Sequence, residues 1–232
     1  MIIGNGLIAN KFREFEQQFN DVIIFASGVS DSLSLSEKEF NREYDLLLNT
    51  IIKNPKLKLI YFSSVLVENS NKPYYKHKLC LEELIKSKAE NYLIYRLPQI
   101  VGKNGNKNTL FNYIKNNIVN NELNLIYLDA VRALIDVDDL IQFVIYSKHI
   151  NNETIIFSYI KKIKVSELCL KISKFLGVKP RVIYNDEKLT ENQWTEENSL
   201  IVVDWLCDVN TENYNDYLIE KYIQNGNTNW IL

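Results

Sequence analysis

Tyr74 and Lys78 stand four residues apart in a stretch of helical spacing, so a phenol and an ammonium share one helix face. A neighbouring positive charge favours the phenolate and lowers the tyrosine pKa, which fits the phenol to trade a proton with a carbonyl or hydroxyl near neutral pH. Ser64, at the end of the preceding apolar run, is placed to hydrogen-bond the same oxygen. A surface tyrosine beside a solvated lysine gives the same spacing by chance in a chain with 14 tyrosines. A second group is Gly4-Asn5-Gly6-Leu7-Ile8-Ala9, a G-x-G-x-x-A pattern after a short apolar start and before a helical stretch. In that context the glycines let backbone approach a pyrophosphate, although a tight turn without ligand needs the same residues.

The elements that must position these groups follow a β–α rhythm, which predicts an α/β fold around a largely parallel sheet. Met1 to Ile3 starts a very short strand, and Ile8, Phe12, Phe15 and Phe19 recur on one helical face. Val22 to Ala26 reads as a buried strand, followed by a helix lined by Phe40, Tyr44, Leu47, Leu48 and Ile51 and closed by Pro55. Leu57 to Phe62 is the next strand, ending at Ser63-Ser64; a helix from about Tyr74 to Lys88 and a strand from Tyr92 to Leu97, stopped by Pro98, come after it. Residues 102–126 form an excursion, with Phe111, Ile114 and Ile118 on a helix. The chain returns through residues 132–139 to a helix with Leu140, Ile141, Val144 and Ile145 and a strand from Thr154 to Phe157. Leu168, Ile172, Phe175 and Leu176 are helical, with Gly177 placed for a left-handed stop. Residues 185–198 are polar and patternless, and a closing helix runs from Tyr214 to Ile223. The expected division is residues 1–160 as the sheet domain and 161–232 as a small C-terminal substrate lobe.

Composition narrows the classes. The 232 residues are 46% hydrophobic and 24% charged, which suits a globular chain rather than a disordered or fibrous one. With 27 Lys+Arg against 29 Asp+Glu there is no basic footprint for nucleic acid. The apolar runs fall short of a membrane span, and the N-terminal residues lack the pattern of a secretory signal, so a cytoplasmic location is expected. Cys80, Cys169 and Cys207 are odd in number and far apart, and only His77 and His149 stand beside them, so neither a disulfide framework nor a metal site is expected. Cys80 reads as a small buried apolar group rather than a nucleophile. Asp138-Asp139 suits the positive end of a helix better than a metal pair.

Taken in order, Gly4-Asn5-Gly6-Leu7-Ile8-Ala9, Asp21 through Ser27, Asn41 through Leu48, Tyr61 through Ser64, Pro73-Tyr74 with Lys78, Arg96 through Gly102 and Arg132 through Leu140 resemble the extended short-chain dehydrogenase/reductase superfamily. The likeness to these sugar-nucleotide epimerases, dehydratases and reductases covers nearly the whole chain. It implies a Rossmann-like parallel sheet with helices on both faces and NAD or NADP as cofactor. Gly4, Gly6, Leu7, Ile8, Ala26, Ser27, Gly28, Lys78 and Pro98 would line the cofactor. Ser64 and Tyr74 would polarise the reacting oxygen, Tyr74 would move the proton, and Lys78 would hold the nicotinamide ribose. Arg132 matches an arginine that contacts the substrate diphosphate in similar enzymes, or else pairs with Asp136 or Asp138 as a structural ion pair. The resemblance also implies a homodimer through residues 36–53 and 74–88.

The chain departs from that pattern between the glycine loop and the next strand. A ribose-binding acid is expected about 20 residues past the glycines, yet Asp21 follows Gly6 by only 15 positions. Either Val22 to Ala26 is the strand beside the nicotinamide, and the second and third strands with the adenosine carboxylate are lost, or it is the second strand and the deletion falls later. The first version predicts weak cofactor binding. The short loop after Ser64 leaves Ser63 as its alternative. Val65-Leu66 stand where dehydratases carry Asp-Glu, and Val65 offers no second acid/base group for epimerisation. The expectation is therefore NAD(P)-dependent reduction of a keto-sugar nucleotide for surface polysaccharide assembly. The alternative is a non-catalytic relative that binds a nucleotide or partner and scaffolds a biosynthetic complex.

Overall fold

The computed structural model describes residues 1–29, 31–103, 105–186, 197–209 and 211–224. In chain order its elements are β1 (Ile2–Ile3), α1 (Leu7–Arg13), a 3-10 turn at Glu16–Phe19, β2 (Val22–Phe25), α2 (Glu37–Lys53), β3 (Lys58–Ser64), α3 (Pro73–Lys88), β4 (Tyr92–Leu97) and β5 (Gln99–Val101). Then follow α4 (Leu110–Val119), β6 (Leu123–Tyr127), β7 (Val131–Asp136), α5 (Val137–Ser147), β8 (Glu153–Ile156), β9 (Lys162–Lys164), α6 (Val165–Leu176), β10 (Arg181–Asn185), α7 (Leu200–Leu206) and α8 (Tyr214–Gln224).

The main sheet has the order β1-β2-β3-β4-β8, with every pair parallel. Its inner strands β2, β3 and β4 are buried on both faces, as a parallel sheet between helices requires. Val22, Ile24, Ile60, Phe62, Leu93 and Tyr95 join one core cluster with Phe12 of α1 and Leu140, Ile141 and Val144 of α5. The alternate residues Ile23, Phe25, Leu59, Tyr61 and Ile94 join a second cluster with Leu47 and Ile51 of α2 and Leu81, Leu84 and Ile85 of α3. This is the two-residue period of strand side chains. Burying a side chain such as Leu47 in that second layer contributes about 2 kcal/mol.

The strand order decides between the two readings of Val22 to Ala26. Were it the second strand of a doubly wound sheet, β1 would lie inside, with β3 on its other flank. Instead β1 is at the edge and β2 lies between β1 and β3. The sheet is therefore the inner half of the usual arrangement, and among the described residues no strand lies outside β1. The step from β1 to β2 and the step from β2 to β3 run the same way across the sheet, yet α1 and α2 lie on opposite faces. The two crossovers thus have opposite hands, and one of them departs from the right-handed norm.

Local chemistry sets the helix ends that matter for the site. Ser36 caps α2 by accepting from the Glu39 N–H at 3.3 Å, and the Ser34 hydroxyl donates to the Glu39 carboxylate at 2.9 Å. Pro73 opens α3, where its fixed φ and missing N–H cost nothing. Gly177 takes the left-handed conformation at φ 66° and ends α6, as the sequence predicts.

Three features differ from the sequence reading. The first helix stops at Arg13, and Phe19 reaches the core from a separate 3-10 turn. Leu200 to Val203 opens a helix, α7, whose Trp205 packs edge-on against Phe143 and Phe157. Cys80, expected to be buried, is exposed on α3, whereas Cys169 is the buried cysteine, its thiol pushed up to about 11 by burial. Residues 187–196 of the polar stretch lie outside the described residues. Its end is anchored by Asn198, whose side chain accepts from the Ser158 and Tyr159 N–H groups at 2.7 and 3.1 Å.

The excursion and the C-terminal elements meet in two small sheets, β5-β7-β9 and a parallel β6-β10 pair. Phe111, Ile114, Leu168, Ile172, Leu218 and Ile219 from α4, α6 and α8 belong to the same core cluster as one face of the main sheet.

Candidate functional site

Lys78 is buried, and its ammonium donates to Glu43 Oε1 at 3.0 Å and to the Tyr61 hydroxyl at 3.0 Å. Glu43 comes from α2, Tyr61 from β3 and Lys78 from α3, so three consecutive elements converge on one ion pair. The second Glu43 oxygen accepts from the Val29 N–H at 3.0 Å and lies 3.2 Å from His77 Nε2, whose ring stacks on Phe40. Burial pushes the Glu43 carboxyl up, but the Lys78 charge, His77 and the Val29 amide outweigh it and bring the pKa down to about 2. Burial pushes Lys78 down, while Tyr61, Tyr74 and Glu43 push it up, and the net shift is upward. Tyr61 is shifted up, chiefly by burial. At neutral pH the pair is charged and closed within the protein.

Tyr74, one turn before Lys78, is half-buried, and its ring centroid lies 5.9 Å from the Lys78 ammonium. Its ring packs edge-on against buried Tyr75 at 5.1 Å. Ser64 ends β3, and its hydroxyl accepts from the Leu66 N–H at 3.3 Å. Ser63 points to the opposite face, where its hydroxyl is buried without a hydrogen-bond partner. The loop between Ser64 and α3 is fixed by Arg96 of β4, which donates to Glu82 of α3 at 2.8 Å and to Glu68 of the loop at 2.5 Å. A fully buried carboxylate, a buried guanidinium and a loop carboxylate thus clamp the segment that carries Ser64 toward the helix that carries Tyr74.

Gly4 has φ +124°, and a Cβ there would lie 2.3 Å from the Ala26 carbonyl oxygen and 2.9 Å from the Ser27 nitrogen. Only glycine lets the loop after β1 lie against the end of β2. Gly6, by contrast, faces open space. Gly28 lies over the ion pair, since a Cβ there would stand 2.9 Å from Lys78 Nζ and 3.2 Å from Glu43 Oε1. Gly4, Ala26 and Ser27 therefore form one contact group, and Gly28, Lys78 and Tyr74 another. Ile8 packs on the core, Pro98 is buried between β4 and β5, and Leu7 packs on Gly102. Behind Leu7 a cleft of about 490 Å³ opens between α1, α4 and α8, with Lys11, Lys115 and Tyr222 on its walls.

Arg132 stands in a different sheet, on β7, with Nη1 donating to the Val131 carbonyl at 2.7 Å. The described ion pairs of Asp136 and Asp138 are with lysines: Lys221 binds both, at 2.6 and 2.7 Å, and Lys11 binds Asp138 at 2.7 Å. Asp136 also caps α5 through the Asp138 N–H, which accounts for this acidic run as a helix start. Among the described residues no group of three or more His, Cys, Asp or Glu side chains is placed to hold a metal ion, and no helix is long and apolar enough to cross a membrane.

The sequence reading did not single out Glu43, named Tyr61 only as the start of a resembling segment, and weighed His77 only as a metal ligand. One signal was available for Glu43: it recurs at four-residue spacing with Leu47 and Ile51, which puts a carboxylate on the buried stripe of α2.

No family sequence model and no curated protein sequence matches the chain. Its fold does match solved structures. A dTDP-4-dehydrorhamnose reductase from Bacillus anthracis in complex with NADP superposes with a TM-score of 0.75 at 16% identity, over 97% of this chain and 98% of that one. UDP-glucose 4-epimerase of Thermotoga maritima with UDP-glucose gives 0.70 at 14% identity, over 96% and 84%. A Bacillus anthracis dTDP-glucose 4,6-dehydratase in complex with NAD gives 0.69 at 15% identity, over 95% and 79%. The chain shares the fold of these reductase, epimerase and dehydratase structures, and among the described residues its main sheet ends at β1.

Proposed function

We propose that this protein is an NAD(P)-dependent reductase of a keto group on a sugar nucleotide, with Tyr74 as general acid. The observation that supports it is the placement of Tyr74 one turn from a charged, rigidly held Lys78, at the strand ends beside Gly28. The residues fit the nicotinamide half of the cofactor: Gly4 closes the loop onto β2, Gly6 leaves space for backbone approach, and Gly28 lets backbone lie directly against the Lys78 ammonium. When bound, the cofactor supplies the hydride.

The chain's own part is to hold the substrate oxygen and deliver a proton. Tyr74 donates its proton to that oxygen, and the Lys78 ammonium, kept charged by Glu43, stabilises the phenolate left behind. Ser64 supplies a second hydrogen bond to the same oxygen.

Titrating the protein with NADH and NADPH while following nicotinamide fluorescence tests this reading. Saturable binding supports it; no binding up to millimolar cofactor overturns it. Tyr74→Phe should then lower turnover by about 10²-fold or more with little change in cofactor affinity; an unchanged rate would clear Tyr74 of the proton transfer. One observation favours a second reading, a non-catalytic nucleotide- or partner-binding protein: Lys78 spends two of its N–H groups on Glu43 and Tyr61. The same titration separates the two readings for the nicotinamide cofactor.

A further inference from the structure

Resting on the reading just given, we infer that the site recognises only the nicotinamide mononucleotide half of its cofactor and leaves the adenosine unread. The inner side of the glycine loop is built: Gly4 lies against Ala26, and Gly28 covers the buried Glu43–Lys78 pair. Among the described residues the outer side is not. The chain leaving Gly6 passes through α1 and the turn at Phe19 directly into β2, the inner neighbour of β1, so this segment lays no strand beyond β1 on which an adenosine would rest.

The carboxylate that would hold the adenosine ribose is missing from that position as well. Counted from Gly6, Asp21 and Asp31 are each five positions from the expected spacing: Asp31 lies in the loop from β2 to α2, its Oδ1 accepting from the Leu33 N–H at 2.9 Å, and Asp21 precedes β2 and so stands at the opposite end of that strand from Ala26. Four strand residues separate the two ends by on the order of 13 Å. What bounds the loop outside is Arg13 of α1, whose guanidinium donates to the Gly4 carbonyl and to the side-chain oxygens of Asn5 and Asn10. This brace shapes the loop without a neighbouring strand, and Arg13, Asn5 and Asn10 are exposed, offering no apolar wall for an adenine.

The full chain, titrated with reduced nicotinamide mononucleotide, NADH and NADPH under one condition, gives the test, with nicotinamide fluorescence as the readout. Dissociation constants within about threefold of one another are expected, and AMP at millimolar concentration should leave bound NADH in place. NADH or NADPH binding at least tenfold more tightly than the mononucleotide, or displacement by AMP, overturns this inference while leaving the reductase reading intact. Failure of all three to bind overturns both.

Discussion

Glu43 is the residue on which the site's electrostatics turn. Its carboxylate has no solvent exposure and gathers Lys78, His77 and the Val29 amide, so removing its charge strands a buried ammonium. Breaking a buried pair from one side costs about 3 kcal/mol or more, and Glu43→Gln should lower the urea-unfolding free energy at pH 7 by about that much. The pH dependence has a definite sign. Because the folded pKa is depressed from 4.5 to about 2, the group stabilises the fold above pH 4.5 and loses that contribution as pH falls toward 2. Urea melts across that window should slope more steeply for the parent than for Glu43→Gln; parallel slopes would show that the carboxylate titrates normally. The sequence made Tyr74 and Lys78 legible because they are local neighbours on one helix. Glu43 lies 35 positions from Lys78, and nothing in the local pattern names that partner. Cys80 misled for a related reason: cysteine is usually buried, but the face of α3 that carries it turns to solvent.

At the scale of elements, the loop between β1 and α1 offers a contrast between two glycines. Gly4 sits at φ +124° with the Ala26 carbonyl in the place of a Cβ, whereas Gly6 has φ −80° and open space around it. Gly4→Ala must move the loop away from β2 and should cost about 2 kcal/mol or more, read as a fall in melting temperature. Gly6→Ala should leave the melt nearly unchanged and weaken nicotinamide binding, because the new methyl group fills the approach to the loop. Equal destabilisation by both substitutions would mean that the second glycine serves the turn alone. The longer elements were legible because they carry a repeating apolar stripe and, in places, a stop residue: Phe40 through Ile51 with Pro55 beyond for α2, and Leu168 through Leu176 with Gly177 for α6. The short ones were not. The helix α7 shows only the apolar run Leu200 to Val203, and β5, β9 and β10 owe their existence to partners far along the chain.

Across the whole molecule, the question that spacing left open was the neighbour of β1, because fifteen residues are enough to reach either flank of a strand; hydrogen bonding between β1 and β2 answers it. The same long-range logic governs the far end of the chain. Asp136 is fully buried where β7 becomes α5, and α8 supplies both of its side-chain partners, Lys221 at 2.6 Å and the Tyr222 hydroxyl at 2.6 Å. Tyr214, also from α8, accepts from the Asp136 N–H at 2.9 Å and donates to Asp139 at 2.5 Å. If α8 left, the Asp136 carboxylate would keep only the Asp138 N–H, the Asp136 amide would lose the Tyr214 hydroxyl, and Leu218, Ile219 and Ile223 would be stripped from the core that reaches the main sheet. Detaching α8 alone is therefore costly, and the chain should unfold in one step. Urea melts followed by tryptophan fluorescence and by far-ultraviolet dichroism should coincide. Lys221→Met, which leaves Asp136 without a cation, should shift both curves together by about 3 kcal/mol. A fluorescence transition preceding the dichroism change would show instead that the chain does not melt as one unit.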